Sequence, residues 1–245
     1  MDETLNTVKL DESATRYDAD FQSVQGLTWL PWVGHRFSER PAQQRLLVVG
    51  ESHYFHGNTP EERQANREKW LVYPQYTRDV VSESLIHREW TTPTLSNIPK
   101  LLFKTAEIDC FKLWGDSAYY NFVQRMMDYK HDRQPERPTW EDFATGWKVF
   151  SEVVRIIQPS HCLFIGVAAA NSFNLGEAAT CTQQVSRTWA RVARLDASGR
   201  NVELIFVQHL GKYFSWSQWH DYLLAQHSDL MNWLGAESYA QIRNV

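Results

Sequence analysis

The chain has 245 residues, a formal net charge of −4 and a pI near 6.1, so it lacks the overall basic character of a general nucleic-acid-binding protein. Hydrophobic residues make up 43% of the sequence and charged residues 22%, which excludes a disordered or fibrous chain. Three widely spaced cysteines exclude a disulfide framework and a four-cysteine iron–sulfur cluster. Because no apolar run is long enough to span a membrane and the acidic N-terminus does not resemble a signal peptide, we expect a cytoplasmic protein that contacts no membrane.

An N-terminal extension, residues 1–25, is mostly polar and charged without a clear period, and we expect it to be frayed. Residues 26–245 are predicted to form one domain, because the sequence has no internal repeat and no low-complexity linker. The aromatic segment 27–35 is interrupted by proline and glycine, which favours an irregular loop packed on the domain.

The first predicted strand is the aliphatic run 46–49, which ends at Gly50. A continuous apolar run of this kind indicates a strand buried on both faces, as in a parallel sheet. Residues with reactive or hydrogen-bonding side chains follow it directly: Glu51, Ser52, His53, Tyr54 and His56. Open α/β sheets bind their ligands beyond the carboxyl ends of the strands. We therefore expect these residues at the functional site.

Three stretches have the start signals of helices. Thr59 before Pro60 provides an N-cap and a first-turn proline, and a second helix is predicted from Thr94. The third helix, capped near Thr139 and ended by Pro159, has apolar residues at three- and four-residue spacing. They predict one buried helical face: Trp140, Phe143, Trp147, Phe150, Val154 and Ile157.

Three further strands are predicted at 161–166, 189–195 and 202–207. The last of them leads directly into His209 and its polar neighbours. Strands that alternate with helices predict a three-layer α/β/α domain. Parallel strands would bring Glu51 and His209 to the same edge of the sheet, where a carboxylate and an imidazole can act as a general acid/base pair.

Several short segments occur in a fixed order: GESHYFHG at 50–57, PTLSNIPK at 93–100, YYN at 119–121, Trp140–Phe143, Leu163–Gly166 and His209–Gly211. This order resembles that of the uracil-DNA glycosylase superfamily over residues 44–225. The best-known branch of that superfamily has G-Q-D-P-Y-H-G after its first strand, where this chain has GESHYFHG at 50–57. It continues with P-P-S-L-x-N-I-x-K, similar to PTLSNIPK at 93–100, and with L-L-L-N, similar to YYN at 119–121. A W-x-x-F helix, a strand that ends in glycine and an H-P-S loop follow in the family, similar to Trp140–Phe143, Leu163–Gly166 and His209–Gly211.

The resemblance implies the fold of that family, three layers around a central, mostly parallel four-stranded sheet. It also implies a DNA glycosylase that flips a damaged or modified base, expected to be a pyrimidine, and hydrolyses its N-glycosidic bond to leave an abasic site. Such an enzyme acts on DNA as a monomer, without a cofactor, a metal or an obligatory protein partner. Prokaryotic members of the superfamily include glycosylases directed at modified phage DNA, so the resemblance also suggests a role in antiviral defence.

The resemblance assigns roles to individual residues. Glu51 directly follows the glycine, as in branches with G-E-x-P-G, and is the expected water-activating carboxylate, while His209 is expected to stabilise the departing base. The expected base-binding residues are Tyr54, Asn121, Ser52 and His53. The expected contacts to the DNA backbone are Ser96, Lys100 and Lys212. Three aromatic residues fall where the family places its stacking ring, and the sequence does not choose among them: Trp70, Tyr73 and Tyr76.

The chain also departs from the family pattern. Ser52 stands where the best-known branch has its water-activating aspartate, and the proline expected near His53 is absent. With the acidic net charge, these differences support an alternative hypothesis, a DNA-binding or sensing module that keeps the fold without the chemistry. A third hypothesis is a hydrolase that uses Ser52 and a nearby histidine, although the sequence lacks the second glycine of the G-x-S-x-G pattern.

Overall fold

The computed structural model has an α/β architecture, in which helices cover a mixed β-sheet. It describes residues 13–54, 59–128, 135–173, 179–197, 199–237 and 239. Within these residues the sheet has seven strands: β1 (Trp32–Val33), β2 (Leu46–Gly50), β3 (Ala118–Asn121), β4 (His161–Phe164), β5 (Thr180–Val185), β6 (Thr188–Ala197) and β7 (Arg200–Phe206). They lie in the order β1-β3-β2-β4-β7-β6-β5. The central strands β3, β2, β4 and β7 run parallel, whereas β1, β6 and β5 pair antiparallel with their neighbours.

The prediction of a four-stranded, mostly parallel sheet is wrong, because the sheet extends beyond its parallel centre on both sides. The predicted strand at 189–195 is present within β6, but it pairs antiparallel with β7. β5 exposes all of its residues except Val185, so no hydrophobic pattern marks it. β1 is very short and lies within segment 27–35, which was predicted to be a loop. Both edge strands therefore escape a search for apolar runs.

The helices among the described residues are α1 (Asp18–Gln22), α2 (Pro60–Leu71), α3 (Tyr76–Val80), α4 (Pro93–Phe103), α5 (Cys110–Asp116), α6 (Trp140–Ile157), α7 (Trp216–Gln226) and α8 (Ser228–Ala236). A π-helical segment, Val81–Ile86, continues α3, and short 3-10 turns cover Thr15–Tyr17, Phe37–Glu39 and Ala168–Ser172. In this described part of the chain, every helix is too short or too polar to cross a membrane.

Two of the predicted helix starts are confirmed by their hydrogen bonds. At the start of α2, Thr59 Oγ1 accepts a hydrogen bond from the Glu62 amide at 3.2 Å. At α6, Thr139 Oγ1 accepts from the Asp142 amide while the Asp142 carboxylate accepts from the Thr139 amide, which forms a capping box. Helix α4 begins at Pro93, slightly earlier than predicted.

Side chains alternate across β2 and fill a hydrophobic core on each face of the sheet. Leu46 and Val48 belong to the core that includes α4, α7 and α8, whereas Leu47 and Val49 belong to the core that includes α1 and α6. Helices thus lie on both faces. The predicted face of α6 buries Trp147, Phe150, Val154 and Ile157. Trp140 is instead 59% exposed, because the helix begins there, beyond the core.

The described part of the segment assigned to the N-terminal extension packs on the domain. Ser13 forms an isolated bridge with Gly34, and Phe21 in α1 is fully buried in the same core as α6. The expectation that the extension is frayed remains a prediction for residues 1–12, which lie outside the described residues.

Candidate functional site

A cavity of about 370 Å³ lies at the carboxyl ends of the parallel strands. β2 pairs with β3 on one side and with β4 on the other, and β4 separates β2 from β7. The chain thus leaves β2 toward one side and later returns on the other, a topological switch point of the kind at which α/β proteins bind ligands. The cavity wall includes all the residues predicted for catalysis and base binding: Glu51, Ser52, His53, Tyr54, Asn121 and His209.

Main-chain hydrogen bonds hold the segment after β2 against the segment after β3. The amide of Phe122 donates to the Gly50 carbonyl at 2.9 Å, and the amide of Val123 donates to the Glu51 carbonyl at 2.8 Å. Farther along, the Met127 amide donates to the His53 carbonyl at 2.8 Å. The side chains of this segment are therefore presented to the cavity from a backbone that is fixed on one side.

Gly50 allows a close approach that no other residue could make. A Cβ atom at this position would lie 2.5 Å from the Tyr119 hydroxyl and closer still to Asn121 Oδ1. We expect Gly50→Ala to lower the free energy of unfolding by about 1–3 kcal/mol, the usual cost of overpacking. Urea denaturation measures this change.

The control for this prediction is Gly235→Ala in α8, where an added methyl group meets no described atom within 4 Å. Alanine has the higher helix propensity, so this control is expected to be neutral or stabilising by up to about 1 kcal/mol. An unfolding midpoint for Gly50→Ala equal to that of the wild type would contradict the close contacts at β2.

Glu51 is a largely buried carboxylate beside a cation. Burial raises the pKa of its carboxyl, and the positive charge of Arg137 opposes this effect. The same cation lies on the cavity wall. Glu51 is therefore held in a partly desolvated state, in which a carboxylate is a stronger base and interacts more strongly with a positive charge than it does in water.

This burial has a consequence for stability. A carboxyl whose pKa is raised by folding stabilises the folded state at low pH, and this contribution is lost as the pH rises through the folded-state pKa. We therefore expect Glu51→Gln to raise the Tm at pH 7. The difference from the wild type should vanish below about pH 4, where glutamate is protonated in both states.

Thermal unfolding at several pH values tests this expectation, and Glu61→Gln is the matched control. The pKa of Glu61 is lowered by hydrogen bonds with the backbone and with Thr59 at the start of α2, so its removal should leave the Tm unchanged or reduce it at pH 7. A lower Tm for Glu51→Gln at pH 7 would show that the carboxylate stabilises the fold.

His209 lies in the loop after β7, where its side chain lines the cavity and is partly exposed to solvent. Partial desolvation lowers the pKa of its imidazole, and the positive charge of Arg137 lowers it further, which favours the neutral ring at pH 7. Asn97 in α4 holds this loop by donating a hydrogen bond from Nδ2 to the Leu210 carbonyl at 2.9 Å. Gly211 lies against the ring, since a Cβ there would be 3.0 Å from His209 Nδ1.

His53 and Asn121 contact each other in the floor of the cavity. Asn121 is 4% exposed and His53 is 6% exposed. The Asn121 amide nitrogen lies 2.9 Å from Nε2 and 3.1 Å from Nδ1 of His53, and its Oδ1 accepts a hydrogen bond from the Tyr119 hydroxyl at 3.2 Å. His53 Nε2 is also 2.9 Å from Thr77 Oγ1. Both side chains are thus oriented by protein partners.

Ser52 has a buried hydroxyl with no hydrogen-bond partner among the described residues. No described histidine accepts a hydrogen bond from it, so the base that a serine nucleophile requires is not in place. This arrangement disfavours the Ser/His hydrolase hypothesis. It leaves a buried polar group facing the cavity, where a ligand could satisfy it.

Arg137 is a cavity residue that the sequence analysis missed. The preceding residue, Glu136, is fixed in several ways. Its carboxylate pairs with Arg125 at 2.9 Å, its amide donates to the Asp128 carbonyl, and its carbonyl accepts from the Tyr54 hydroxyl at 3.1 Å. Because Arg137 follows an unpatterned polar stretch, only the tertiary structure reveals its place beside the site.

Comparisons with known proteins do not assign the chain to a family. No family model matches it, and no curated protein matches it. In the part of the chain that the structure describes, no group of three or more His, Cys, Asp or Glu side chains is arranged to hold a metal ion.

The residues expected to contact the DNA backbone lie outside the cavity wall. Ser96 donates a hydrogen bond to the Pro93 carbonyl within α4, and Lys100 lies one turn farther along the same helix. Lys212 is exposed, with its Nζ 5.8 Å from the centre of the Tyr213 ring. Their contact with DNA stays a prediction, as does a role for His56, which lies outside the described residues.

Tyr76 is the one of the three candidate stacking residues that lines this cavity. Its ring packs edge-on against His53, with 4.7 Å between ring centres, and stacks on Trp70 at 4.8 Å. Tyr73 and Trp70 line an adjoining cavity instead. Among the three candidates for the stacking ring, the position therefore favours Tyr76, because it alone of the three lines both cavities.

Proposed function

We propose that the protein is a monofunctional DNA glycosylase that hydrolyses the N-glycosidic bond of a flipped, modified or damaged pyrimidine. The observation that carries this proposal is that one cavity at the carboxyl edge of the sheet is lined both by a carboxylate, Glu51, whose pKa is raised by burial, and by an imidazole, His209, whose pKa is lowered by partial desolvation. The resemblance of the motif order to the uracil-DNA glycosylase superfamily adds to this support.

The size and lining of the cavity support the binding of an extruded base. Its volume of about 370 Å³ lies within the range of small-molecule sites, roughly 300–1,000 Å³. A flipped base is usually held by stacking on rings and by hydrogen bonds to its edge. Tyr54 and Tyr76 supply rings, and the Ser52 hydroxyl supplies a group without a partner among the described residues. Asn121 would have to exchange its contact with His53 or Tyr119 to read the base.

Glu51 and His209 have complementary parts in the proposed reaction. Cleavage of a glycosidic bond develops positive charge on the sugar and negative charge on the departing base. A desolvated Glu51 carboxylate would stabilise the sugar cation and accept a proton from the attacking water. The neutral His209 ring would donate a hydrogen bond to the base as it leaves with the bonding electrons. Water then adds to the sugar, and the abasic site remains in the DNA.

Arg137 is the basic residue of the cavity wall among the described residues. A guanidinium at this position suits a phosphate of the flipped nucleotide, because it can donate two parallel hydrogen bonds. This contact would bring the phosphate of the substrate to the mouth of the cavity and would offset the acidic net charge of the chain locally.

The test uses three DNA substrates: unmodified DNA, uracil-containing DNA and phage DNA with hypermodified pyrimidines. Each is incubated with the wild type, Glu51→Gln, His209→Ala and the surface control Glu61→Gln, and alkali then cuts the strand at abasic sites. Breaks that appear with the wild type and the control but not with the two cavity variants support the proposal. DNA that is bound but never cut would favour the sensing module, and DNA that is neither bound nor cut would reject both.

A further inference from the structure

A second, larger cavity adjoins the first. Its volume is about 700 Å³, and it shares part of its wall with the cavity that holds Glu51 and His209. The shared residues are Tyr76, Val80, Trp90 and Thr92. A ligand bound in the first cavity could therefore extend a bulky substituent past these shared residues into the second cavity.

The second cavity has aromatic walls. Trp70 stacks on Tyr76 with 4.8 Å between ring centres and 22° between ring planes, so each ring covers one face of the other. Tyr73 and Trp90 complete the aromatic lining and are both partly exposed. Exposed rings such as those of Tyr73 and Trp90 can pack against the apolar side of a ligand ring or lie against a cation.

Two carboxylates face the same space. Glu83 Oε2 accepts a hydrogen bond from Trp90 Nε1 at 3.0 Å. Burial, followed by the charge and hydrogen bond of Asp79, raises the pKa of Tyr73 to about 12. The pKa of Tyr76 is raised as well, by burial first and then by Glu83 and Asp79, so the field of both acids reaches the wall between the cavities. Lys69 is the basic residue of this lining among the described residues.

This lining selects for one kind of chemistry. Two acids against one lysine disfavour an anionic substituent, whereas carboxylate oxygens accept hydrogen bonds from hydroxyl or ammonium groups. The rings would cover the apolar face of the same group. The space is too large for a methyl or hydroxymethyl group to fill, so small modifications would leave most of it empty.

We propose that this second cavity binds a bulky, donor-rich substituent carried by the flipped base, so that the preferred substrate is a hypermodified pyrimidine. The inference rests on the proposed glycosylase function and specifies its substrate class. The substituent carries hydroxyl groups, as a sugar does, or an ammonium group, as an aminoalkyl chain does.

The test uses oligonucleotides that differ at a single pyrimidine. The base is unsubstituted or carries at C5 a hydroxymethyl, glucosyloxymethyl, aminoalkyl or carboxyalkyl group. We expect the wild type to prefer a glucosyl or aminoalkyl base over the small ones by at least about tenfold in kcat/KM. It should also reject the carboxyalkyl base. Equal rates on all five bases would overturn the inference and leave the glycosylase function intact.

A substitution that fills the second cavity separates it from the first. Val72 lines only the second cavity and is 81% exposed, so Val72→Trp adds bulk there without disturbing a core, and Val72→Ala is its control. We expect Val72→Trp to slow excision of the bulky base by about tenfold or more while leaving a small base within about twofold of the wild type. Equal losses on both bases would contradict the inference.

Two further measurements make the outcome decisive. Glu83→Gln should lower kcat/KM for an aminoalkyl base more than for a glucosyl base, since only the aminoalkyl group carries a positive charge. The comparison shows whether the second cavity prefers an ammonium group or hydroxyl groups. The Kd of each oligonucleotide for Glu51→Gln, with and without Val72→Trp, is measured in parallel. If no base is excised, a binding preference for the bulky base that Val72→Trp removes supports the second cavity without the glycosylase function, and its absence overturns the inference.

Discussion

Replacing Glu51 by glutamine is expected to lower the rate of base excision by about 10²–10⁴-fold, the usual contribution of a positioned general base. The substitution keeps the size and hydrogen-bonding reach of the side chain but removes both its negative charge and its ability to accept a proton. The Glu51 carboxyl is partly desolvated, so bulk water compensates only in part for the lost charge. Single-turnover kinetics on a DNA substrate that the wild type cleaves measures the change in the rate of base excision.

The same variant allows the loss of chemistry to be separated from a loss of folding. Because Glu51→Gln is expected to raise the Tm at pH 7, a slower variant that is also more stable would show that the carboxylate serves the reaction at a cost to the fold. DNA affinity should stay near that of the wild type. If the variant excised the nucleobase at the wild-type rate, Glu51 would have no part in the mechanism, and another group would have to act as the general base.

Replacing His209 by alanine is expected to lower kcat by about 10²–10³-fold, as found when one donor is removed from an oxyanion site. The imidazole lines the cavity together with Arg137 and is partly desolvated, so its hydrogen bond to a negatively charged base is formed in a less polar setting than bulk water. The loss should be smaller for a base that is a better leaving group, because such a base needs less stabilisation. Comparison of two substituted pyrimidines of different acidity measures this dependence.

The pH profile gives an independent check on both residues. Excision should fall as the pH drops through the raised pKa of Glu51, because the protonated carboxyl can neither accept a proton nor stabilise a cation. Since the pKa of His209 is lowered, its ring stays neutral throughout the neutral range and adds no loss there. In Glu51→Gln the acidic limb should therefore disappear from the residual rate. The exposed His87→Ala variant serves as control for His209→Ala and should keep the wild-type profile.

The sequence reveals those parts of the fold in which burial dictates composition. β2, β4 and β7 lie in the centre of the sheet, so their residues are mostly apolar and the strands stand out as continuous runs. β5 lies at an edge with most of its residues exposed, and its stability comes from pairing with β6, which leaves no hydrophobic signature. The central strand β3 was missed as well, although all four of its residues are buried, because the stretch is short and ends in the polar Asn121. The count of strands was wrong for both reasons.

The residues of the candidate site likewise fall into those that the sequence predicts and those that only the tertiary structure reveals. Glu51 and His209 directly follow apolar strands, so their common edge could be predicted from chain order and the parallel arrangement of the strands. Arg137 and Tyr76 reach the cavity from segments that lie far from these strand ends in sequence. Their approach depends on tertiary packing, such as the Arg125–Glu136 pair and the contact between Tyr76 and His53, which local patterns do not encode.

The hydrogen bonds that join the segments after β2 and β3 use only main-chain groups, donated by Phe122, Val123 and Met127. The acceptors are the carbonyls of Gly50, Glu51 and His53, and every residue type has such a carbonyl, so these hydrogen bonds do not depend on the identity of the side chains at positions 51–53. During evolution, substitutions at these positions could alter which ligand the cavity accepts without first rebuilding the framework. A pocket built in this way can adapt to a change in its ligand through successive single substitutions.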